Sequence, residues 1–134
     1  QDHYVTAKQL DGSTKVLFIS HRWESAEFPD EDGFQYDIAT EFIKSFSITF
    51  DYVWVDYGCI CPEKGDPTFF KHLIIIPTSI FVSTHVFVIP KRAFDKDLVY
   101  SELTDCTGRG WCQLEALMCF ITGCDAYITF NAFG

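Results

Sequence analysis

Short runs of apolar residues, separated by polar stretches, recur along this chain and predict four strands, the first three of them buried. Each run holds β-branched or aromatic side chains, which is typical of strands in a parallel sheet covered on both faces. The runs are KVLFIS (Lys15–Ser20), YVWVD (Tyr52–Asp56), HVFVIP (His85–Pro90) and DAYITF (Asp125–Phe130).

The segments between these runs carry helix signals. Ile38, Phe42 and Phe46 recur every four residues, which marks an amphipathic helix. The stretch TFFKHLIIIPTSIFVS is interpreted as a second helix, with Thr68 as its N-cap and Pro77 as a residue that kinks or ends it.

A third helix is predicted in TGRGWCQLEALMCFITG (residues 107–123). Its apolar face is expected to consist of residues spaced i, i+3, i+4 and i+7, namely Leu114, Leu117, Met118 and Ile121. Gly123 is expected to end the helix. One carboxylate, Glu115, lies away from the centre of that face, on the side of Cys112 and Cys119. By residue type alone, Glu115 is explained as a solvated or capping acid favoured by the helix dipole.

Strands that alternate with helices predict an α/β fold with a mainly parallel sheet of four to five strands. Residues 1–14 are expected to form an N-terminal arm or hairpin, and residues 15–134 the domain. Ligands of such sheets bind beyond the carboxyl ends of the strands, at the point where the strand order reverses. The loops that leave those ends are residues 20–33, 56–67 and 90–110, the last of them predicted as a long irregular loop.

The composition describes one globular domain: the chain has 134 residues, of which 48% are apolar. No apolar run approaches the roughly 20 residues that span a bilayer. The formal charge of −9 disfavours nucleic acid and anionic membranes as partners. We expect the six cysteines to be free thiols in a reducing cytoplasm.

The few cations fall into two clusters that are far apart in the sequence. One cluster is His21-Arg22, and the other is Lys91-Arg92, followed later by Arg109. An acidic chain can still bind a small anion if its cations converge on one pocket.

Three other chemistries are less well supported by the sequence. Neither glycine fingerprint of nucleotide-binding loops occurs, and GRG (residues 108–110) is explained as a flexible approach to a helix. A zinc site would need a second tight pair beside Cys59-x-Cys61, so we expect no metal. Cys112 at a helix start, with His21 as base, is a conceivable nucleophile, but a buried structural cysteine is the usual explanation.

Several motifs, taken in order, resemble the Toll/interleukin receptor (TIR) domain. VLFISHRWE matches the family's first strand, WVDYGCICPEKGD falls where the family has its second strand and BB loop, and WCQLEA resembles the tryptophan, cysteine and glutamate of its third main helix. With SIFVSTHVFVIP, the match covers residues 15–130. The sequence departs from the family in the long acidic loop WESAEFPDEDG, and no last helix or fifth strand is found before Gly134.

This resemblance implies a flavodoxin-like three-layer sandwich and two kinds of function. Many TIR domains are adaptors that signal by self-association, and others cleave NAD+ at the nicotinamide–ribose bond. We expect a cytoplasmic NAD+ nucleosidase that acts as an immune or cell-death effector, is activated by self-association, and takes NAD+ as substrate without a cofactor. A non-catalytic adaptor that binds through residues 56–67, with Tyr57 and Ile60, and an enzyme like the nucleoside deoxyribosyltransferases remain alternatives.

The resemblance also assigns roles to individual residues. The catalytic glutamate of the family corresponds to Glu115, which would stabilise the positive ribosyl group that forms as nicotinamide leaves. The expected substrate-binding residues are His21, Arg22, Trp23 and Asp56. Arg22 would pair with the pyrophosphate, Trp23 would stack on a ring, and Asp56 would hold the second loop. Trp111 is interpreted as a packing residue.

Overall fold

Four parallel strands form the central sheet of this chain. The computed structural model describes residues 4–25, 27–59, 69–95, 98–101 and 108–129. The strands in these residues are β1 (Val16–His21), β2 (Tyr52–Val55), β3 (His85–Ile89), β4 (Arg92–Asp95), β5 (Leu98–Ser101) and β6 (Asp125–Ile128). The sheet has the order β2-β1-β3-β6, while β4 and β5 pair as a separate antiparallel ribbon. The four predicted strands are therefore confirmed.

Helices connect the strands and end where the sequence provides a signal. They are α1 (Phe34–Ser45), α2 (Asp56–Cys59), α3 (Phe69–Ser79) and α4 (Gly110–Thr122). Pro77 lies inside α3, which ends two residues later and continues as a 3₁₀ turn over Ile80–Val82. Gly123 follows α4 with φ 70°, the left-handed conformation that only glycine adopts without strain, so its predicted role is confirmed. Thr68, the predicted N-cap, lies outside the described residues.

The two faces of the sheet are covered by different helices, which gives three layers. On one face, alternate residues of β1 and β3 pack against α1, and this cluster contains Leu17, Ile19, Ala39, Phe87 and Ile89. On the other face, Phe18 and Val86 pack against Ile80 and against Cys119 of α4. Because all pairings in the sheet are parallel and its order reverses beside β1, the fold is α/β and flavodoxin-like, as predicted.

Two details of the sheet differ from the sequence prediction. β2 is not a buried strand, since Tyr52 is 38% and Val53 43% exposed. The reason is its place at the end of the strand order, where it pairs with β1 alone. The loop predicted over residues 90–110 contains the β4–β5 ribbon, whose short strands give no clear apolar alternation.

The predicted buried face of α4 is wrong at two of its four residues. Leu117 and Ile121 are 51% and 58% exposed, although both were expected to face the core. The residues of α4 that face inward lie on the side of Glu115, and Cys119 is buried there while Met118 packs beside it. Glu115 is therefore on the side of α4 that faces the sheet and not on a solvated side.

Residues 4–15, ahead of β1, hold a 3₁₀ turn over Ala7–Gln9 and a turn in which Asp11 binds Ser13 and Thr14, and contain no strand. In the described part of the chain, no helix has the length and the apolar character needed to cross a membrane.

Candidate functional site

A pocket opens at the carboxyl ends of β1 and β3, where the order of the sheet reverses. Its volume is about 260 Å³. Ligand pockets have volumes of roughly 300 to 1,000 Å³, so this one is slightly smaller than the lower limit of that range. Its position is the one at which sheets with this strand order bind ligands.

The structure brings all the predicted site residues to the wall of this pocket: His21, Arg22, Trp23, Asp56 and Glu115. They come from the end of β1 and the loop after it, from α2 and from α4. The cations of the two sequence clusters also meet here, because Lys91 and Arg109 line the same pocket as Arg22. Arg92 is the exception, since it pairs with Glu24 and Asp32.

The alternation of side chains along β1 sends two neighbouring residues to opposite sides of the sheet. Ser20 points to the side of α4, where its hydroxyl donates a hydrogen bond of 2.5 Å to Glu115 Oε2. His21 points to the side of α1 and α2, and contacts Gln35 and Asp56. The end of β1 therefore connects both helical layers to the pocket.

Glu115 is a half-buried carboxyl on the pocket wall. Burial is the main reason that the pKa of the Glu115 carboxyl lies above its usual value. The hydrogen bond from Ser20 lowers this pKa, and the charge of Asp56 raises it. A carboxyl with this environment can stabilise a positive charge that develops beside it, provided that the carboxyl is ionised.

Asp56 begins α2 and accepts bonds from two residues of the first loop region. Its Oδ1 lies 2.6 Å from His21 Nε2, and its Oδ2 accepts a bond of 3.3 Å from Trp23 Nε1. Burial lowers the pKa of His21, but the hydrogen bond and charge of Asp56, with Gln35, outweigh burial and bring the pKa above its usual value. Asp56 thus orients both side chains at the pocket.

Three residues near the pocket were not identified from the sequence. Ser20 was counted only as the end of a strand, and Trp54 only as an apolar strand residue, yet Trp54 lines the pocket and stacks on Phe18 at 4.5 Å. Gln35 is 4% exposed, and its Oε1 lies 2.7 Å from His21 Nδ1. The sequence did carry a signal for Gln35, because it lies one turn before Ala39 on the buried side of an amphipathic helix, where a polar residue is unusual.

The structure bears on two of the other chemistries. Both ring nitrogens of His21 lie within hydrogen-bond distance of Gln35 and Asp56, so His21 is not placed to take a proton from Cys112. Among the described residues, no group of three histidine, cysteine or acidic side chains is arranged to hold a metal ion. Cys61, part of the zinc candidate, lies outside the described residues, as do residue 60 and the side chains of Tyr57 and Trp111.

In comparisons with protein-family models, with curated proteins and with solved structures, this chain has no match.

Proposed function

We propose that this chain is a TIR-like NAD+ nucleosidase, which cleaves the bond between nicotinamide and ribose. The observation that supports this most strongly is Glu115, a half-buried carboxyl bound to Ser20 at the wall of the switch-point pocket. A solvated surface acid would not need such a partner, and a purely structural helix face would not place a desolvated acid at its centre.

In the proposed reaction, the C1′–N bond breaks and its electron pair goes to the ring nitrogen of nicotinamide, which leaves as a neutral molecule. Because NAD+ already carries a cationic leaving group, no general acid is required. The ribose carbon becomes positive, and Glu115 stabilises that charge, as carboxylates do in glycoside cleavage. Water then adds to C1′ and releases a proton, which gives ADP-ribose. Glu115 Oε2 accepts the hydrogen bond from Ser20. In this reaction, Glu115 Oε1 is the oxygen that faces the ribose.

The rest of the pocket supports a ligand of this kind. Trp23 and Trp54 offer aromatic surface for a ring, and Arg22, Lys91 and Arg109 offer positive charge for phosphates. The volume of about 260 Å³ suits the nicotinamide and ribose, so the remaining nucleotide would lie over the rim.

A second feature favours an association function, alone or together with catalysis. The outer side of α4 exposes Leu117, Phe120 and Ile121, at 51%, 85% and 58%. These residues are spaced i, i+3 and i+4, so they form one apolar patch on the helix. We propose that self-association, which the resemblance implies for an immune or cell-death effector, uses such a surface. The alternative contact surface over residues 56–67 lies mostly outside the described residues.

We place the protein in the cytoplasm. Cys119 and Cys124 are free thiols close to each other in the sequence, which fits a reducing compartment.

The experiment that tests the function compares substrates. The chain is incubated at high concentration with NAD+ and, separately, with deoxynucleosides, and the release of nicotinamide or free base is followed by chromatography. Release of nicotinamide from NAD+ alone supports the nucleosidase. Release of base from deoxynucleosides would instead support the deoxyribosyltransferase alternative, and release from neither would support the adaptor.

A further inference from the structure

His21 lies between two hydrogen-bond acceptors, one at each ring nitrogen. Nδ1 is 2.7 Å from Gln35 Oε1, and Nε2 is 2.6 Å from Asp56 Oδ1. A neutral imidazole has a proton on only one nitrogen and could donate only one of these bonds. An imidazolium donates both.

The orientation of the Gln35 amide is determined by its other contacts. Its Nε2 donates to the carbonyl oxygen of Arg22 at 2.8 Å and to Glu24 Oε1 at 3.1 Å. Both partners are pure acceptors, so the nitrogen must face them and Oε1 must face His21. If the amide were reversed, its oxygen would face the oxygens of Arg22 and Glu24. Its NH2 group would then face the protonated Nδ1 of the imidazolium, so that two donors would meet.

The residues around Gln35 are themselves held in place. Glu24 Oε1 also accepts a bond of 3.3 Å from Arg92 Nε, and Arg92 Nη2 lies 2.9 Å from Asp32 Oδ2. The guanidinium carbon of Arg92 lies 4.2 Å from the centre of the Phe34 ring, at the first residue of α1. Arg92 thereby links the β4–β5 ribbon to the start of α1. Gln35 lies there, the first of the buried residues of α1.

We propose that Gln35 is a positioning residue that holds His21 as an imidazolium between itself and Asp56, so that the pocket wall carries a fixed cation. This cation compensates the charge of Asp56. Where it concerns turnover, this inference rests on the proposed function. Because the imidazolium compensates the charge of Asp56, Glu115 is the one carboxylate among the predicted site residues whose charge is available to the substrate. Nothing in the resemblance to TIR domains assigns a role to Gln35.

The charge state of His21 depends on groups that several elements bring toward it. Asp56 of α2, Gln35 of α1 and Asp30 of the first loop act on it directly, and Glu115 of α4 interacts with it by charge. The other charged groups around this site are Glu24, which binds Gln35, and Arg22, Lys91 and Arg109 on the pocket wall, the last of them just before α4. Removing the Gln35 acceptor leaves a donor of His21 without its partner in a buried place, which favours the neutral ring.

The first test measures the native chain and uses one variant only to assign its signals. The ¹⁵N shifts of the histidine ring of the whole chain, assigned with His21→Asn, report the protonation of each nitrogen. We expect both nitrogens of His21 to carry protons near neutral pH, where an unperturbed histidine is mostly neutral. A neutral single tautomer of His21 at that pH would overturn the inference.

The second test uses paired substitutions. Gln35→Met keeps the size of the side chain but removes the acceptor, and we expect the titration midpoint of His21 to fall by about one pH unit, the equivalent of one lost charge-assisted bond. Gln35→Glu keeps an acceptor at Nδ1 but places its second oxygen against the Arg22 carbonyl and Glu24, so circular dichroism first checks that this variant folds. In the folded variant, the added negative charge beside the ring is expected to keep the imidazolium to a pH at least as high as in the native chain. Gln113→Met, on the exposed side of α4, is the control. An equal midpoint in the native chain and Gln35→Met contradicts the inference.

The same variants separate this inference from the proposed function. If NAD+ turnover exists, the acid limb of its pH profile is expected to move to higher pH in Gln35→Met, because the uncompensated charge of Asp56 disfavours ionised Glu115. An unmoved acid limb would contradict the coupling. If the chain releases no nicotinamide but His21 is doubly protonated, the nucleosidase proposal fails and the inference about Gln35 stands.

Discussion

The hydrogen bond from Ser20 to Glu115 provides a prediction that can be worked out from the structure. Ser20 is 7% exposed, and its hydroxyl donates to the half-buried carboxylate. The substitution Ser20→Ala removes the hydroxyl and adds no atom, so no clash is created. The effect therefore comes from the lost bond.

The expected size depends on the charge of Glu115. A hydrogen bond to a charged group contributes about 1.5–3 kcal/mol to stability, and a bond between neutral groups contributes about 0.5–1.5 kcal/mol. At a pH well above the raised pKa of Glu115, where the carboxyl is ionised, Ser20→Ala should lower the free energy of unfolding by about 2 kcal/mol. Below the raised pKa of Glu115 the carboxyl is protonated, and the loss should shrink to about 1 kcal/mol.

The assay is urea denaturation of the native chain and the variant at about pH 7 and about pH 4. Ser83→Ala is the matched control, since Ser83 is also buried and donates 2.8 Å to a neutral carbonyl, that of Ser79. Its loss should be about 1 kcal/mol at both pH values. The same loss for Ser20→Ala at both pH values, or a loss no larger than that of the control near neutral pH, would refute the assignment of a buried charged partner.

Three further predictions concern the fold. Burial lowers the pKa of His85 below 6.5. The contribution of neutral His85 to stability is therefore complete above pH 6.5 and is lost as the pH falls through the lowered pKa. In thermal unfolding across this range, His85→Phe should lose less stability on acidification than the native chain. Gly123→Ala should cost about 1 kcal/mol in urea denaturation because φ is 70° while no neighbour crowds the position; no change would contradict this. Phe18→Ala should lower the free energy of unfolding by about 3–5 kcal/mol, since Phe18 is fully buried. Phe120→Ala, at an 85% exposed residue, should change it by less than about 0.5 kcal/mol. Similar losses in the two variants would contradict the assigned burial.

The strands could be predicted because short apolar runs, rich in β-branched and aromatic residues and bounded by polar stretches, are typical of parallel strands. The runs at β1 and β3 lie in the middle of the sheet, and their alternation assigns Leu17 to one helical layer and Phe18 to the other. The exposure of β2 could not be predicted, because the residues of an edge strand can be as apolar as those of a central one.

The inward side of α4 could not be predicted because apolar residues surround most of that helix. When hydrophobicity does not favour one side, spacing alone does not give the orientation. The side that faces the sheet is the one with Cys112, Glu115 and Cys119, while Leu117 and Ile121 face outward. The resemblance named Glu115 as a site residue, but its burial beside the sheet is seen only in the structure.

The role of Gln35 could not be predicted from the sequence either. The periodic residues of α1 predicted the helix, but a hydrogen bond between Gln35 and His21 joins residues far apart in sequence. Such contacts depend on how α1 is docked on the sheet, which the apolar residues of α1 and the Arg92 contacts to Glu24 and Asp32 stabilise.

The central claim is that Glu115 stabilises a positive ribosyl group, and nicotinamide release from NAD+ by Glu115→Gln tests it most directly. The control is Glu41→Gln, on the exposed side of α1. The Glu115→Gln variant should remain folded and be at least as stable as the native chain near neutral pH, because burial raises the pKa of Glu115 and its ionised form therefore lowers stability as the pH rises. We predict that nicotinamide release falls by about 10²- to 10³-fold in Glu115→Gln and is unchanged in Glu41→Gln. Equal release by the native chain and Glu115→Gln would contradict the claim.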